Sequence, residues 1–292
     1  MKVGVFGSEC QKENQNKIKR LFEKLCSIDA EVYVDARFHG FLADGLGLKP
    51  KVAGLLPCDD VIDLDVALSV GGDGTFLRTA ARVSRQGIPI LGINTGRLGF
   101  LADVGGGDIE EAIDELLKGD YKIEERTLLR LHTDERMFKG HNYALNEIAV
   151  LKRDTSSMIT IHTFLNDEYL TSYQADGLVI ATPTGSTAYS MSVNGPIIHP
   201  QSDNVVLSPV APHSLNVRPL VIPDTYKVTL KVESRNKHFL ISLDGRSEIF
   251  PAGTKLTVTK ASFATKVIKI HNHTFCQTLR EKLMWGADAR MK

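Results

Sequence analysis

Cysteine is scarce in this chain of 292 residues, and the few cysteines form no recognisable pattern. No two of them make a Cys-x-x-Cys pair, and they lie far apart, at Cys10, Cys26, Cys58 and Cys276. Zinc sites and the disulfide frameworks of small secreted proteins both need regularly or closely spaced cysteines. We therefore expect reduced thiols, without a disulfide framework or a zinc site.

The chain also lacks an excess of either charge and any long apolar run. It has 35 Lys and Arg against 35 Asp and Glu, so no global field attracts nucleic acid or an anionic membrane. No apolar stretch is long enough to span a bilayer, and the apolar start of the chain is too short for a signal peptide. These absences predict a soluble, cytoplasmic protein without a nucleic-acid or membrane partner.

Two familiar phosphate-binding motifs are missing as well. No glycine is followed by lysine, which excludes a Walker A loop, and the Rossmann pattern Gly-x-Gly-x-x-Gly does not occur. Any nucleotide must therefore be held by a different arrangement of residues.

Strand and helix patterns alternate along the first 125 residues. Lys2–Phe6, Val66–Val70 and Pro89–Ile93 are short apolar runs typical of buried strands. Between and after them, Gln11–Cys26 and Ile109–Lys118 carry apolar residues at helical spacing. This alternation predicts an α/β domain with a Rossmann-like parallel sheet, whose ligands bind at the carboxyl ends of the strands.

The pattern changes near Glu125, and the segments up to Ile270 are short, β-branched and alternating. They predict an all-β, antiparallel, sandwich-like domain. We expect an α/β nucleotide-binding domain over residues 1–125, joined by a C-terminal helix over 274–292, and a β-rich domain over 126–273. Lys266–Ile270 is expected in the β-rich domain.

The most informative segment is Gly71-Gly72-Asp73-Gly74-Thr75, between a buried strand and an amphipathic helix. Glycines leave the backbone bare, and a helix N-terminus attracts anions, so the turn favours phosphate. The alternative is a tight connection whose Asp caps the helix. An acid inside a phosphate site is unfavourable unless it takes part in a reaction, so Asp73 indicates phosphoryl chemistry.

Other polar segments follow strands or interrupt them. Asn94–Leu101 is either an ordinary strand exit or a second side of the phosphate site. Asn146-Glu147 interrupts an apolar strand, where the residues make a structural hydrogen bond or contact sugar hydroxyls. Arg78 either contacts phosphate or pairs with an acid.

The longest polar run, Asp176–Ser192, contains Thr-Pro-Thr-Gly-Ser-Thr between a strand and a short helix. Thr184 or Ser186 is expected to cap that helix, which leaves amides and hydroxyls directed at one spot. A well-capped helix start without a ligand is the alternative.

Together Gly71–Thr75, Asn94–Leu101, Asn146-Glu147 and Asp176–Ser192 resemble the NAD kinase family in order and spacing. The similarity covers nearly all of the chain beyond about residue 60. Two positions depart from the family pattern: Ala175 stands where glycine is frequent, and Asn194 replaces a glycine.

This resemblance implies transfer of the ATP γ-phosphoryl group to the 2′-hydroxyl of the adenosine ribose of NAD. Asp73 would orient that hydroxyl and accept its proton, while Gly72 and Gly74 contact phosphate. Asn146 and Glu147 would bind the dinucleotide. The remaining implied ligand contacts are Asp176, Thr187, Ala188, Tyr189, Ser190, Met191, Ser192, Ala211 and Arg246.

The resemblance further implies a divalent cation, Mg²⁺, carried mainly by ATP, and a homo-oligomer, either a dimer or a tetramer. Two alternatives remain: a lipid or sugar kinase that shares the glycine turn, and a sensor that binds NAD or NADP without catalysis. The sequence leaves open whether NADH is accepted, whether polyphosphate replaces ATP, and whether NADP regulates the protein.

Overall fold

The computed structural model describes residues 1–56, 62–96, 99–102, 104–134, 137–153, 157–270 and 274–286. It contains two compact units. The first comprises Met1–Glu125 and Thr265–Lys292, and the second comprises Arg126–Ala264. Among the described residues, no helix combines the length and apolar character that crossing a bilayer requires.

The first unit is built on a seven-stranded sheet in the order β3-β2-β1-β4-β5-β19-β6. The strands are β1 (Lys2–Gly7), β2 (Glu31–Asp35), β3 (Gly54–Leu56), β4 (Val66–Val70), β5 (Ile90–Ile93), β6 (Tyr121–Arg126) and β19 (Thr265–Ile270). Pairing is parallel from β3 through β2, β1, β4 and β5 to β19. The predicted α/β architecture with a parallel sheet is confirmed.

Helices flank the sheet because their apolar residues repeat at helical spacing. They are α1 (Gln15–Ser27), α2 (Ala36–Leu46), α3 (Asp73–Val83), α4 (Ile109–Lys118) and α6 (Phe275–Leu283). In α1, for example, Ile18, Leu21, Phe22 and Leu25 are buried.

The strand order reverses between β1 and β4, which is where parallel sheets bind ligands. Asp73 begins α3 directly after β4, so the fold places it at this point.

Thr265–Ile270 lies in the parallel sheet and not in the β-rich part where it was expected. Val267 pairs with Ile90 of β5, and the hydroxyls of Thr265 and Ser84 are 2.8 Å apart. An alternating β-branched run fits either kind of sheet, so its pattern does not identify the strand it pairs with.

The C-terminal helix is also shorter than the expected 274–292. It ends at Leu283, and residues 287–292 lie outside the described part of the chain.

The second unit holds two six-stranded sheets, confirming the predicted antiparallel β architecture. The second sheet has the order β11-β10-β15-β18-β7-β8, and the third has the order β14-β13-β12-β9-β16-β17. The strands are β7 (Leu129–Thr133), β8 (Tyr143–Ala144), β9 (Glu147–Lys152), β10 (Ile159–Leu165), β11 (Glu168–Ala175), β12 (Gly177–Ala181), β13 (Asn204–Val210), β14 (Leu220–Pro223), β15 (Val228–Glu233), β16 (His238–Leu243), β17 (Arg246–Pro251) and β18 (Lys255–Lys260).

One apolar core joins these two sheets. Alternate residues such as Leu230 and Leu256 from the second sheet pack with Leu178, Ile180 and Ile241 from the third. The short helix α5 (Tyr189–Ser192) follows a 3-10 turn over Thr184–Thr187. Tyr189 packs against the buried cluster of Ala149, Val179, Ala181, Ile198 and Val206, which is separate from that core.

Candidate active site

The glycine turn between β4 and α3 leaves its backbone accessible. Gly71 has φ +153°, and a Cβ there would come within 2.4 Å of the Thr75 hydroxyl. Gly72 and Gly74 are exposed, and a Cβ on Gly72 would have no neighbour within 4 Å. The space over Gly72 therefore admits a ligand close to the N-terminus of α3, where phosphate is favoured.

The Asp73 carboxylate is held by the loop over residues 100–102 and by Lys282 of α6. Oδ1 accepts hydrogen bonds from the backbone N–H groups of Leu101 at 3.0 Å and Ala102 at 3.2 Å. Oδ2 accepts from the N–H of Phe100 at 3.0 Å and from Lys282 Nζ at 3.2 Å. The carboxylate is thus fixed in position by four donors before any substrate arrives.

These contacts keep Asp73 ionised. Burial raises the pKa of its carboxyl, but the N–H groups of Phe100, Leu101 and Ala102 and the Lys282 ammonium lower it by more. The resulting pKa lies below the usual value for aspartate. At neutral pH this group is an anionic hydrogen-bond acceptor that orients a donor.

The segment Asn94–Leu101, predicted as a second side of the phosphate site, supplies two of these donors. Gly99 lets the segment approach Asp73, because a Cβ there would lie 2.0 Å from Oδ1. Asn94 is buried and stabilises the loop, accepting from Gly96 N–H and donating to the Ala102 carbonyl. Arg97 and Leu98 lie outside the described residues.

Thr75 connects the turn to the loop that follows β1. Its hydroxyl is 2.7 Å from Ser8 Oγ and accepts a hydrogen bond from Arg78 at 3.2 Å. The Arg78 side chain is exposed, close to the open backbone of Gly74. Of the two predicted roles for Arg78, this position favours phosphate contact.

In the second unit, Asp244 organises the segment that contains Asn146 and Glu147. Its carboxylate accepts hydrogen bonds from the N–H groups of Leu145, Asn146 and Glu147, at 2.7, 2.8 and 3.1 Å. Asp244 itself has φ +48°, in the left-handed region that a tight turn requires. The Asp244-Gly245-Arg246 turn therefore supports the Asn-Glu pair through its first residue.

Glu147 is buried, and its Oε2 has no hydrogen-bond partner among the described residues. Burial and then the nearby charge of Asp244 raise the pKa of Glu147 to about 7, although the Tyr189 N–H opposes this. A buried carboxylate oxygen without a partner is unfavourable. A ligand hydroxyl that donated to Oε2 would remove that penalty.

The Thr182–Thr187 segment lies directly against Asn146. The Thr182 N–H donates to the Asn146 carbonyl, and a Cβ on Gly185 would come within 2.0 Å of the same oxygen. The Thr182 hydroxyl also donates to the Leu145 carbonyl at 2.6 Å. Two motifs that are about 36 residues apart in sequence thus form one structure.

The expected helix cap by Thr184 or Ser186 is wrong. Neither the 3-10 turn nor α5 has a side-chain cap. The Ser186 hydroxyl is buried, donates to the Pro183 carbonyl and accepts from the Ile198 N–H at 3.0 Å. Hydroxyls in this run mostly hold the segment together, because buried polar atoms must find partners.

The predicted ligand contacts over residues 187–192 differ in accessibility. Thr187, Ala188, Tyr189 and Met191 are partly exposed, and Ser192 is exposed. Ser190 is fully buried, with its hydroxyl 3.0 Å from that of Ser208, so its side chain supports the fold and does not face a ligand. Burial and then the charges of Glu147 and Asp176 raise the pKa of Tyr189. Its phenol therefore lies in the field of both acids.

Asp176 and Thr182 flank β12 at its opposite ends, roughly 20 Å apart at about 3.3 Å per residue. Asp176 forms an ion pair with Lys152 at 2.7 Å.

A cavity of about 730 Å³ is lined by residues that include Ser192, Asn194, Ala211 and Arg218. Its size is typical of small-molecule sites, and it contains two of the predicted contacts, Ser192 and Ala211.

Arg246 is engaged by the protein itself. Its guanidinium donates to the carbonyls of His141 and Tyr143 at 2.9 and 3.0 Å and lies over the Phe138 ring. These bonds give the side chain a structural role, and its nucleotide contact stays a prediction. The pattern could not reveal this, because the carbonyl acceptors are more than a hundred residues away.

No group of three His, Cys, Asp or Glu side chains that could hold a metal ion occurs in the part of the chain described. The described residues thus provide no cage for the divalent cation expected with ATP. Sequence reasoning also missed three contributors to the site: Lys282, Ser8 and the backbone amide of Ala102. Each depends on contacts between distant parts of the chain, for which no local signal exists.

Comparison with known proteins agrees with the sequence resemblance. Residues 3–121 match the family model of the ATP-NAD kinase N-terminal domain, and residues 145–270 match that of the C-terminal domain. The chain is 52% identical over 291 residues to NAD kinase of Bacteroides fragilis, covering 100% of both chains. It is 47% identical over 290 residues to NAD kinase of Porphyromonas gingivalis, covering 99% of both.

Solved structures show the same fold. A crystal structure of yeast NADH kinase complexed with NADH aligns with a TM-score of 0.88 and 23% identity, covering 100% of this chain and 90% of that chain. An NAD kinase from Archaeoglobus fulgidus in complex with ATP aligns with a TM-score of 0.74 and 25% identity, covering 98% of both. With both family models matched and relatives near 50% identity over the full length, the chain belongs to the NAD kinase family.

Proposed function

We propose that this protein phosphorylates NAD, transferring the γ-phosphoryl group of ATP to the 2′-hydroxyl of the adenosine ribose and releasing ADP and NADP. The observation that carries the proposal is the position of Asp73. Its ionised carboxylate lies at the N-terminus of α3, beside the open backbone of Gly72 and Gly74. A phosphate site with an oriented acceptor is what transfer to a hydroxyl requires.

In the proposed reaction the ribose oxygen forms a bond to the γ-phosphorus while the bond between that phosphorus and the β,γ-bridging oxygen breaks. The hydroxyl proton passes to Asp73, and the electron pair of the broken bond leaves with ADP. Because the pKa of Asp73 is below its usual value, the carboxylate is a weak base. It acts chiefly by orienting the hydroxyl, which suits a loose transition state in which the proton leaves late.

The second unit supplies the groups proposed to bind NAD. Glu147 Oε2 would accept a hydrogen bond from a ribose hydroxyl, which satisfies an otherwise unpaired buried oxygen. Asn146 would contribute from the same segment, and Tyr189 offers a partly exposed aromatic surface. The cavity beside Ser192 and Ala211 would receive another part of the dinucleotide. Asp176 would contact the ligand from the other end of β12.

ATP is the proposed donor, and Mg²⁺ the proposed cation, bound mainly through the phosphate oxygens. When bound, the cation neutralises charge on the triphosphate. We also propose a cytoplasmic protein that forms a dimer or a tetramer. The proposed donor and cation rest on the family membership and on the open, anion-favouring turn at Gly72. The proposed location and oligomer rest on the family membership.

The test is an assay of the purified protein with NAD, ATP and Mg²⁺, in which a dehydrogenase specific for NADP reports product. We expect NADP to accumulate, and we expect Asp73→Asn to reduce kcat by roughly 10²–10⁴-fold. NAD binding and the thermal unfolding midpoint should stay close to those of the wild type. Intact NAD binding without NADP formation by the wild type would instead identify a sensor.

A further inference from the structure

The two oxygens of the Asp73 carboxylate have different surroundings. Oδ1 accepts from two backbone amides, Leu101 and Ala102, and lies so close to Gly99 that a Cβ there would be 2.0 Å away. Oδ2 accepts one amide, that of Phe100, and one side chain, Lys282. A carboxylate oxygen offers about two lone-pair directions. Each oxygen therefore has two donors, but only Oδ2 has one on a side chain, which can move to make room for another donor.

Lys282 is held next to Oδ2 by aromatic contacts. Its ammonium lies 4.5 Å from the centre of the Phe100 ring, and the Phe100 ring is 6.3 Å from that of Phe275. Phe275 and Lys282 both belong to α6, so one helix contacts both the loop and the carboxylate. A cation over an aromatic face is attracted to it, which limits where the ammonium can go.

We propose that Lys282 is a positioning residue for phosphoryl transfer: its ammonium holds Oδ2 of Asp73 in the orientation that receives the ribose hydroxyl. The inference rests on the proposed function, because it assigns to Lys282 a role in that same reaction. The backbone amide of Phe100 is part of a loop, whereas the lysine side chain can rotate. When substrate binds, Lys282 is thus the donor that shifts to admit the hydroxyl.

The ammonium suits this task because it carries three N–H donors. As the ammonium turns aside to admit the hydroxyl, another of its N–H groups can bond to an oxygen that arrives beside the carboxylate. Among the described residues, Lys282 is the cation that contacts the Asp73 carboxylate. Arg78 on α3 donates to the Thr75 hydroxyl, and Lys17 on α1 donates to the Thr95 carbonyl. Neither contact reaches the carboxylate.

The experiment compares Lys282→Met, Lys282→Arg and the control Arg280→Met in the full-length protein. Arg280 is an exposed cation of the same helix, so its replacement makes the same change in net charge without touching Asp73. For each variant, kcat and the KM values for NAD and ATP are measured across the acidic limb of the pH profile. Thermal unfolding midpoints and NAD binding are recorded in parallel.

We expect Lys282→Met to lower kcat by at least about tenfold with both KM values within about twofold of the wild type, as a positioning role requires. The acidic limb should move to higher pH, because the Lys282 ammonium lowers the pKa of the Asp73 carboxyl and the variant lacks that charge. Lys282→Arg should recover most of kcat, and Arg280→Met should match the wild type.

Three results would overturn the inference. The first is a Lys282→Met profile that coincides with that of Arg280→Met. The second is a raised KM for ATP at unchanged kcat, which would make Lys282 a phosphate ligand. The third is a loss of kcat that only follows a fallen unfolding midpoint. None of these three results would contradict the proposed function, which fails only if the wild type forms no NADP.

Discussion

The backbone N–H of Asn146 donates a hydrogen bond to Oδ1 of Asp244 at 2.8 Å, although 98 residues separate the two in sequence. Leu145 and Glu147 donate to the same carboxylate. The loop that presents the proposed NAD-binding pair is therefore held by one side chain from the turn after β16. A partly buried acid can thus support the site without contacting the ligand.

Replacing Asp244 should loosen that loop. Asp244→Ala leaves three N–H groups without their acceptor, and hydrogen bonds to charged groups contribute about 1.5–3 kcal/mol each. We expect the KM for NAD to rise about tenfold or more and the unfolding midpoint to fall, as measured by steady-state kinetics and calorimetry. Asp244→Asn keeps one acceptor oxygen and should show a smaller effect. Equal KM values for wild type and Asp244→Ala would contradict this role.

Adding a methyl group at Gly99 should displace the proposed catalytic carboxylate. A Cβ there would lie 2.0 Å from Oδ1 of Asp73, so the loop or the carboxylate must move. We expect Gly99→Ala to lower kcat by about tenfold or more while NAD binding, measured by titration, stays unchanged. Gly107→Ala is the matched control, since a Cβ at Gly107 has no neighbour within 4 Å. A Gly99→Ala enzyme as fast as this control would refute the geometry.

A methyl group at Gly185 should affect the other unit. The new Cβ would be 2.0 Å from the Asn146 carbonyl oxygen and 2.4 Å from its carbon, and backbone cannot easily yield. We expect Gly185→Ala to lower the free energy of unfolding by about 1–3 kcal/mol and to weaken NAD binding. Chemical denaturation and NAD titration measure the two effects. A variant that binds NAD normally would show that Thr182–Thr187 does not support the Asn146 segment.

Glu147 should make stability depend on pH. Its pKa is about 7 in the folded protein against a usual value of 4.5, so the folded state favours the protonated form. Below pH 4.5 the carboxyl is protonated in both states, and its ionisation destabilises the folded state progressively as pH rises towards 7. The loss reaches at most about 3 kcal/mol above that pH.

Glu147→Gln removes this titration. The unfolding midpoint of the variant minus that of the wild type should therefore increase between pH 5 and pH 8 and then level off. Glu248→Gln, at a partly exposed carboxylate of the same unit, is the control. A difference that stays constant over this range would mean that Glu147 is ionised in the folded protein throughout.

Much of the fold follows from local patterns. The predicted bounds of β4 and α4 coincide with those observed, because an apolar run and a helical repeat each identify their own element. The family resemblance, carried by four segments in order and most specifically by the Thr-Pro-Thr-Gly-Ser-Thr run, is confirmed. The proposed ligand contacts of individual residues remain predictions, including those of Ser190 and Arg246, whose side chains bond within the protein.

The local order of apolar, glycine and polar residues is enough to indicate the elements, the anion-favouring turn and the acid inside it. It does not indicate which donors surround Asp73, which sheet contains Thr265–Ile270, or which hydroxyls form hydrogen bonds within the protein. Those outcomes depend on contacts such as Lys282 to Asp73, which are 209 residues apart. Side-chain periodicity extends over a few turns of chain, whereas pairing at that distance exists only after the chain has folded.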